Sequence, residues 1–168
     1  TCYRLLHGAV EGCPGLTVDR YGPLLWVQTF HEPLPPGALE ALSQAADQAL
    51  GQSLIPIWNH RAQARHPASG YADPPEADGW HLAHEAGLAY EIQPRRWGKD
   101  PWLFLDFRAT RRWVRAHSKD LSVLNLFAYT CGVGLAALAG GAREVWNVDF
   151  SASVLDVGLR NLDHNALD

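Results

Sequence analysis

The segment that most restricts what this chain can fold into runs from Val123 to Asn165. Apolar VLNLF gives way to the small-residue run AYTCGVGLAALA, and apolar EVWNVD then gives way to SASVLDVGLRNLDHN. This alternation predicts a strand over 123–127, a helix from about 134 to 139, a strand over 144–149 and a helix from about 152 to 165. Two consecutive βα units require parallel strands joined by right-handed crossovers, which is the opening of a doubly wound α/β sheet.

The turn after the first of these strands is where such a sheet brings backbone N–H groups and a helix N-terminus against a nucleotide-like ligand. Asp149 follows Phe127 by 22 positions. An acid at that distance is placed to accept hydrogen bonds from the two hydroxyls of an adenosine ribose, although a strand-end aspartate can equally serve only its own turn. Ser151 is placed to cap the helix that follows. A dinucleotide needs G-x-G-x-x-G, because pyrophosphate must approach bare backbone. Here Tyr129, Thr130 and Cys131 precede Gly132 and Gly134, so side chains would crowd the phosphates. S-adenosylmethionine carries an amino-acid group, a sulfonium and an adenosine but no phosphate, and it suits this loop better than NAD. Two other readings stay open on these residues: an NAD(P)-dependent oxidoreductase on the same half fold, and a noncatalytic RNA-binding or dimerisation module that keeps the scaffold.

Upstream, Tyr3–Leu6, Leu16–Asp19 and Leu24–Phe30 read as short strands, with Tyr21-Gly22-Pro23 as a turn. Leu39, Leu42, Ala46 and Leu50 recur at helical spacing up to Gly51, a C-terminal cap. Leu54–Trp58 reads as another strand, and WHLAHEAGLAYEIQ as a hairpin turning at Glu85-Ala86-Gly87. The expected organisation is a small α+β module over 1–94 followed, over 95–168, by the first part of the parallel sheet.

The net charge of −4 argues against nucleic acid, yet eight of the 14 Lys and Arg residues lie between Arg95 and Lys119. Trp97, Trp102 and Trp113 share that stretch, and interleaved basic and aromatic side chains suit phosphate contact and base stacking. Asp106 is placed to cap a helix reaching about His117, on which Arg108, Arg111, Arg112 and Arg115 fall at offsets 0, 3, 4 and 7. All four guanidinium groups are then expected to project from one face. A solvated surface is the bland alternative; clustering in an otherwise acidic chain favours RNA phosphates, with Arg111, Arg112, Arg115 and Lys99 as the contacts.

With 47% hydrophobic and 19% charged residues the chain can bury a sizeable core. No apolar run approaches the roughly 20 residues of a membrane span, and no charged-then-apolar leader opens the sequence, so a cytoplasmic location is expected. Cys2, Cys13 and Cys131 are odd in number and far apart, which favours neither a disulfide framework nor a zinc site. His81 and His84 fall on opposite faces of a strand, so no metal is assigned. The opening at Thr1 and the absence of methionine suggest a piece of something longer.

Three stretches together resemble one family: YRLLHGAVEGCPGLTVDRYG, WGKDPWLFLDFRATRRWV, and the whole of VLNLFAYTCGVG through LDHNALD. They are similar to the bacterial 23S rRNA base methyltransferases of the large-subunit methyltransferase I and K type. The resemblance implies a Rossmann-like S-adenosylmethionine methyltransferase sheet, preceded by the small module that lies between an RNA-binding PUA domain and the catalytic domain. It implies that Phe127, Ala128, Tyr129, Thr130 and Gly132 line the cofactor loop, that Asp149 and Phe150 hold ribose and adenine, and that Asp106 and Arg108 approach the reacting centre. The variant FLDFRATRR is closer to the member acting on N7 of guanine than to the one acting on C5 of cytosine. Cys131 stands where the family usually has glycine, and its expected role is a small packed side chain. The family's catalytic (Asn/Asp)-Pro-Pro-(Tyr/Phe) loop follows a later strand than any present here, and Asp73-Pro74-Pro75 reads as a turn instead. The expected product is therefore the cofactor-binding half of an enzyme, with an exposed sheet edge that invites a homodimer.

Overall fold

The computed structural model describes residues 1–61, 74–94 and 100–167, apart from the side chain of Ala77. Lys99 and Asp73 lie outside the described residues. Contacts divide the chain into two units: Thr1–Ala83 with Ile92–Pro101, and His84–Glu91 with Trp102–Asp168.

In the first unit β1 (Cys2–Leu6), β2 (Leu16–Tyr21), β3 (Leu24–Thr29) and β4 (Ile55–His60) form one sheet in that order. The pairs β1·β2 and β2·β3 are antiparallel and β3·β4 is parallel. The parallel step needs a crossover, and α1 (Ala38–Leu50) supplies it. Gly51 ends that helix in the left-handed region (φ 66°), its N–H returning to the Asp47 carbonyl. The apolar stripe of α1 meets one sheet face in a core of Val18, Leu25, Val27, Leu39, Ala46, Leu54 and Trp58. Each large side chain buried there contributes about 1.5–3 kcal/mol. Pro75 opens a short 3-10 helix, Pro75–Asp78, where a turn was expected.

The hairpin of β5 (His81–Glu85) and β6 (Leu88–Ile92) turns through Ala86 and Gly87, both at positive φ (51° and 82°), as a two-residue turn requires. Its tip, His84–Glu91, groups with the second unit. That unit continues with α2 (Arg108–His117), β7 (Ser122–Leu126), α3 (Gly132–Ala139), β8 (Glu144–Val148) and α4 (Ala152–His164). The expected βαβα order is therefore present. β7 and β8 pair in parallel, with Leu124 opposite Trp146 and Leu126 opposite Val148. These four side chains share one face and are 46–62% exposed, while Val123, Asn125, Val145 and Asn147 point to the other face and are half-buried.

Two expected caps are absent. The helix α2 starts at Arg108 with Phe107 as its N-cap, one residue too late for the Asp106 carboxylate to reach its first N–H groups. Ser151 does occupy the N-cap of α4, but its hydroxyl pairs with that of Ser153 at 3.1 Å instead of capping the backbone.

Candidate functional site

The loop between β7 and α3 is built from residues that rarely adopt its conformation. Phe127, Tyr129 and Cys131 alternate through the left-handed region at φ 54°, 52° and 59°. Non-glycine residues held there cost of order 1–3 kcal/mol each, so surrounding bonds must impose the shape. They do so from Ala128 to Cys131. The Ala128 N–H donates to the Val148 carbonyl (3.0 Å) and the Cys131 N–H to the Ala128 carbonyl (2.9 Å). The Tyr129 N–H donates to Asp149 Oδ2 (2.9 Å), and the buried Thr130 hydroxyl donates to the Trp102 carbonyl (2.8 Å). The Tyr129 ring packs against Trp102 and Phe104, with centroids 6.1 and 5.0 Å away. Cys131 is buried, and Gly158 on α4 is what admits it: a Cβ at Gly158 would run into the cysteine Sγ. Gly134 similarly lets α3 close onto Asn147, whose Oδ1 accepts from Asn125 Nδ2 at 2.8 Å.

This loop and the segment before α2 enclose a pocket of about 300 Å³. Its walls include Phe127, Ala128, Tyr129, Thr130 and Gly132 from the loop, and Leu103, Phe104, Phe107 and Arg111 opposite. The α3 N-terminus begins at Gly132, and the first N–H groups of any helix lack intrahelical acceptors and carry its positive dipole end. Asp149 is tied to the same loop through Tyr129. Hydrogen bonds from the N–H of Ser151 and then of Tyr129 hold its carboxyl below the usual carboxylate range. Each of its oxygens takes one of these donors and keeps a lone pair for a further one. Phe150 is 94% exposed beside it.

The sequence grouping is met only in part. Five loop residues line the pocket and Asp149 adjoins them, but Asp106 and Arg108 are not among its walls. Arg108 leans instead toward Glu85, its Nε 3.7 Å from Oε2. The arginine face needs a larger correction. Arg111 is 3% exposed, and it grips both oxygens of buried Glu85 at 2.8 Å through Nε and Nη2. Its Nη1 donates to the Phe104 carbonyl at 2.8 Å. It therefore stands at the pocket wall, facing inward, and does not project with its neighbours. Arg115 is half-exposed and donates to the Ala86 carbonyl, while Arg112 is exposed. Sequence reasoning missed Phe104, Phe107 and Arg111 as pocket residues. For the phenylalanines the signal was available, since they flank Asp106 in the quoted FLDFR; for Arg111 there was none, because Glu85 lies 26 residues away.

The sequence model of the S-adenosylmethionine-dependent methyltransferases matches residues 3–168. The chain belongs to this family. A ribosomal RNA large subunit methyltransferase I from Cronobacter sakazakii is 34% identical over 99% of this chain. A ribosomal RNA large subunit methyltransferase from Deinococcus radiodurans is 33% identical over 97% of it. The chain spans 42% and 41% of those relatives. A methyltransferase crystallised in complex with SAH superposes over 100% of this chain and 43% of its own, with a TM-score of 0.80 and 26% identity. Membership of a methyltransferase family removes the oxidoreductase alternative, and the loop agrees, since no dinucleotide fingerprint is present. The residues present also fit S-adenosylmethionine: backbone N–H groups at the α3 end for an amino-acid carboxylate, an apolar pocket beside them, and an ionised Asp149 with free acceptor capacity for hydroxyls.

Proposed function

We propose that this methyltransferase chain holds S-adenosylmethionine and serves methyl transfer to a base of 23S ribosomal RNA in the cytoplasm. The observation that carries the reading is the strained loop 127–132, held by Asp149 against the pocket. The names of the relatives support ribosomal RNA as the substrate class, and those with a numeral carry the I designation.

When bound, the donor supplies an electrophilic methyl group on a sulfonium. The chain's own part is to bind and align. Asp149 accepts ribose hydroxyls while keeping the Tyr129 and Ser151 N–H groups. Exposed Phe150 offers a flat face to adenine, and the loop N–H groups at Gly132 meet the amino-acid end. Phe104, Phe107 and Phe127 give the pocket apolar walls against which the donor is aligned. RNA phosphates fall to Arg112 and Arg115, with Lys99 as a further contact.

Calorimetry with S-adenosylhomocysteine tests the reading. The wild type should bind it, and Asp149→Ala should weaken binding roughly ten- to a hundredfold, as expected for lost hydrogen bonds to a charged acceptor. Unchanged affinity in the folded variant would remove the ribose assignment. For the intact enzyme carrying this chain, labelled methyl transfer to 23S rRNA, followed by identification of the modified nucleoside, decides the substrate and the target atom.

A further inference from the structure

One buried side chain links three parts of the second unit. Asn161 on α4 is 1% exposed. Its Oδ1 accepts the Glu91 N–H of β6 at 2.7 Å, and its Nδ2 donates to the Thr130 carbonyl in the loop at 3.2 Å. The peptide joining Thr130 to Cys131 is thus held at both ends, because its N–H donates to the Ala128 carbonyl at 2.9 Å. Fixing that peptide plane fixes φ of Cys131, which stands at 59° as the N-cap of α3, and so fixes where the first α3 N–H groups point. One turn on, Asn165 makes a superficially similar attachment. Its Oδ1 accepts the Ala89 N–H at 2.9 Å and its Nδ2 donates to the Ala89 carbonyl at 2.8 Å, but it does not reach the loop. Arg160 and His164 complete the attachment to β6 by gripping the Glu91 carboxylate at 2.6 and 2.8 Å.

We propose that Asn161 is a positioning residue for the methyl-donor loop: by bridging the Glu91 N–H and the Thr130 carbonyl, it sets the 130–131 peptide and thereby the aim of the α3 N-terminus. This rests on the proposed role of that loop in holding the donor. Asn165 is the control, since it anchors the same strand without touching the loop; its Nδ2 also donates to the Asn161 carbonyl at 2.7 Å, a backbone acceptor that the Asn161 substitutions leave in place. Asn161→Asp, assayed at a pH where the buried acid is ionised, removes the loop arm, because the carboxylate still accepts the Glu91 N–H but has no proton to give the Thr130 carbonyl.

Amide hydrogen exchange in the ligand-free protein reads the loop directly, and S-adenosylhomocysteine affinity reads its consequence. Exchange at the Tyr129 and Cys131 amides should quicken about tenfold in Asn161→Ala and Asn161→Asp and stay at the wild-type rate in Asn165→Ala, with affinity falling about tenfold in the same two variants. Equal effects in all three variants, or none at these amides in the Asn161 variants, would make Asn161 an ordinary anchor of β6 and overturn the proposal. Loss of the fold in both Asn161 variants would do the same. A wild type that does not bind S-adenosylhomocysteine would overturn the donor reading, while the exchange measurements still decide whether Asn161 positions the loop.

Discussion

Cys131 shows how much a single residue in this loop carries. Burial, with the Asp149 carboxylate adding to it, pushes its thiol from 9.0 to about 11. The protonated form therefore dominates at neutral pH, and thiolate chemistry is suppressed. Exposed Cys13 should be alkylated by iodoacetamide at pH 8 while Cys131 in the native protein is not, which peptide mapping reads directly. Because the folded value lies above the unfolded one, the linked stability is complete below about 9 and is lost as pH rises toward about 11. Thermal midpoints should fall more steeply across that window in the wild type than in Cys131→Ala. The opposite sign holds for Asp149, whose depressed value favours the folded state above the ordinary carboxylate range and ceases to do so as pH falls through it.

Among the elements, α2 departs furthest from its expected role. Its arginines share a helical face, yet only part of that face meets solvent, because the tip of the β5–β6 hairpin delivers Glu85 beneath Arg111. The side chains of the pair are 4% and 2% exposed, so removing one charge leaves the other buried without compensation. Glu85→Gln should destabilise the protein by about 3–5 kcal/mol, measured by denaturant unfolding. A cost near that of a surface pair, under about 1 kcal/mol, would show the site to be wetter than its burial implies. Arg112 remains on the outside. In the intact enzyme Arg112→Gln should reduce the slope of log affinity against log salt for single-stranded RNA by about 0.7, the share of one phosphate contact. An unchanged slope would leave Arg112 as part of a solvated face.

For the 168-residue chain, which spans 42% of its relatives, the exposed face of the β7·β8 pair is the feature with the widest consequence. Leu124, Leu126, Trp146 and Val148 lie side by side in register, a contiguous apolar surface of the kind that drives association. The 168-residue chain should therefore self-associate with rising concentration, and Trp146→Lys should shift it toward monomer in sedimentation velocity. If the variant and the wild type sediment alike at every concentration, this face is not what brings copies together.

Much of this architecture was legible in local pattern. Strand and helix periods, the Gly51 cap, the turn at Ala86 and Gly87 and the alternation from Val123 onward depend on residues within a few positions of one another, and short-range sterics decide them. The same holds for the form of the loop after β7, since a strand end, a small-residue helix start and an acid 22 positions later are features of sequence order. What sequence order could not reveal was which charges and amides would be buried. Arg111 and Arg112 are neighbours with the same charge, and one lies inside and the other outside because Glu85, 26 residues from Arg111, arrives on a hairpin. Asn161 reads as an unremarkable polar residue in a helix until β6 and the loop approach it from 70 and 31 residues away. Burial of a polar group is permitted only where a partner meets it, and partners so distant in sequence are set by the tertiary structure alone.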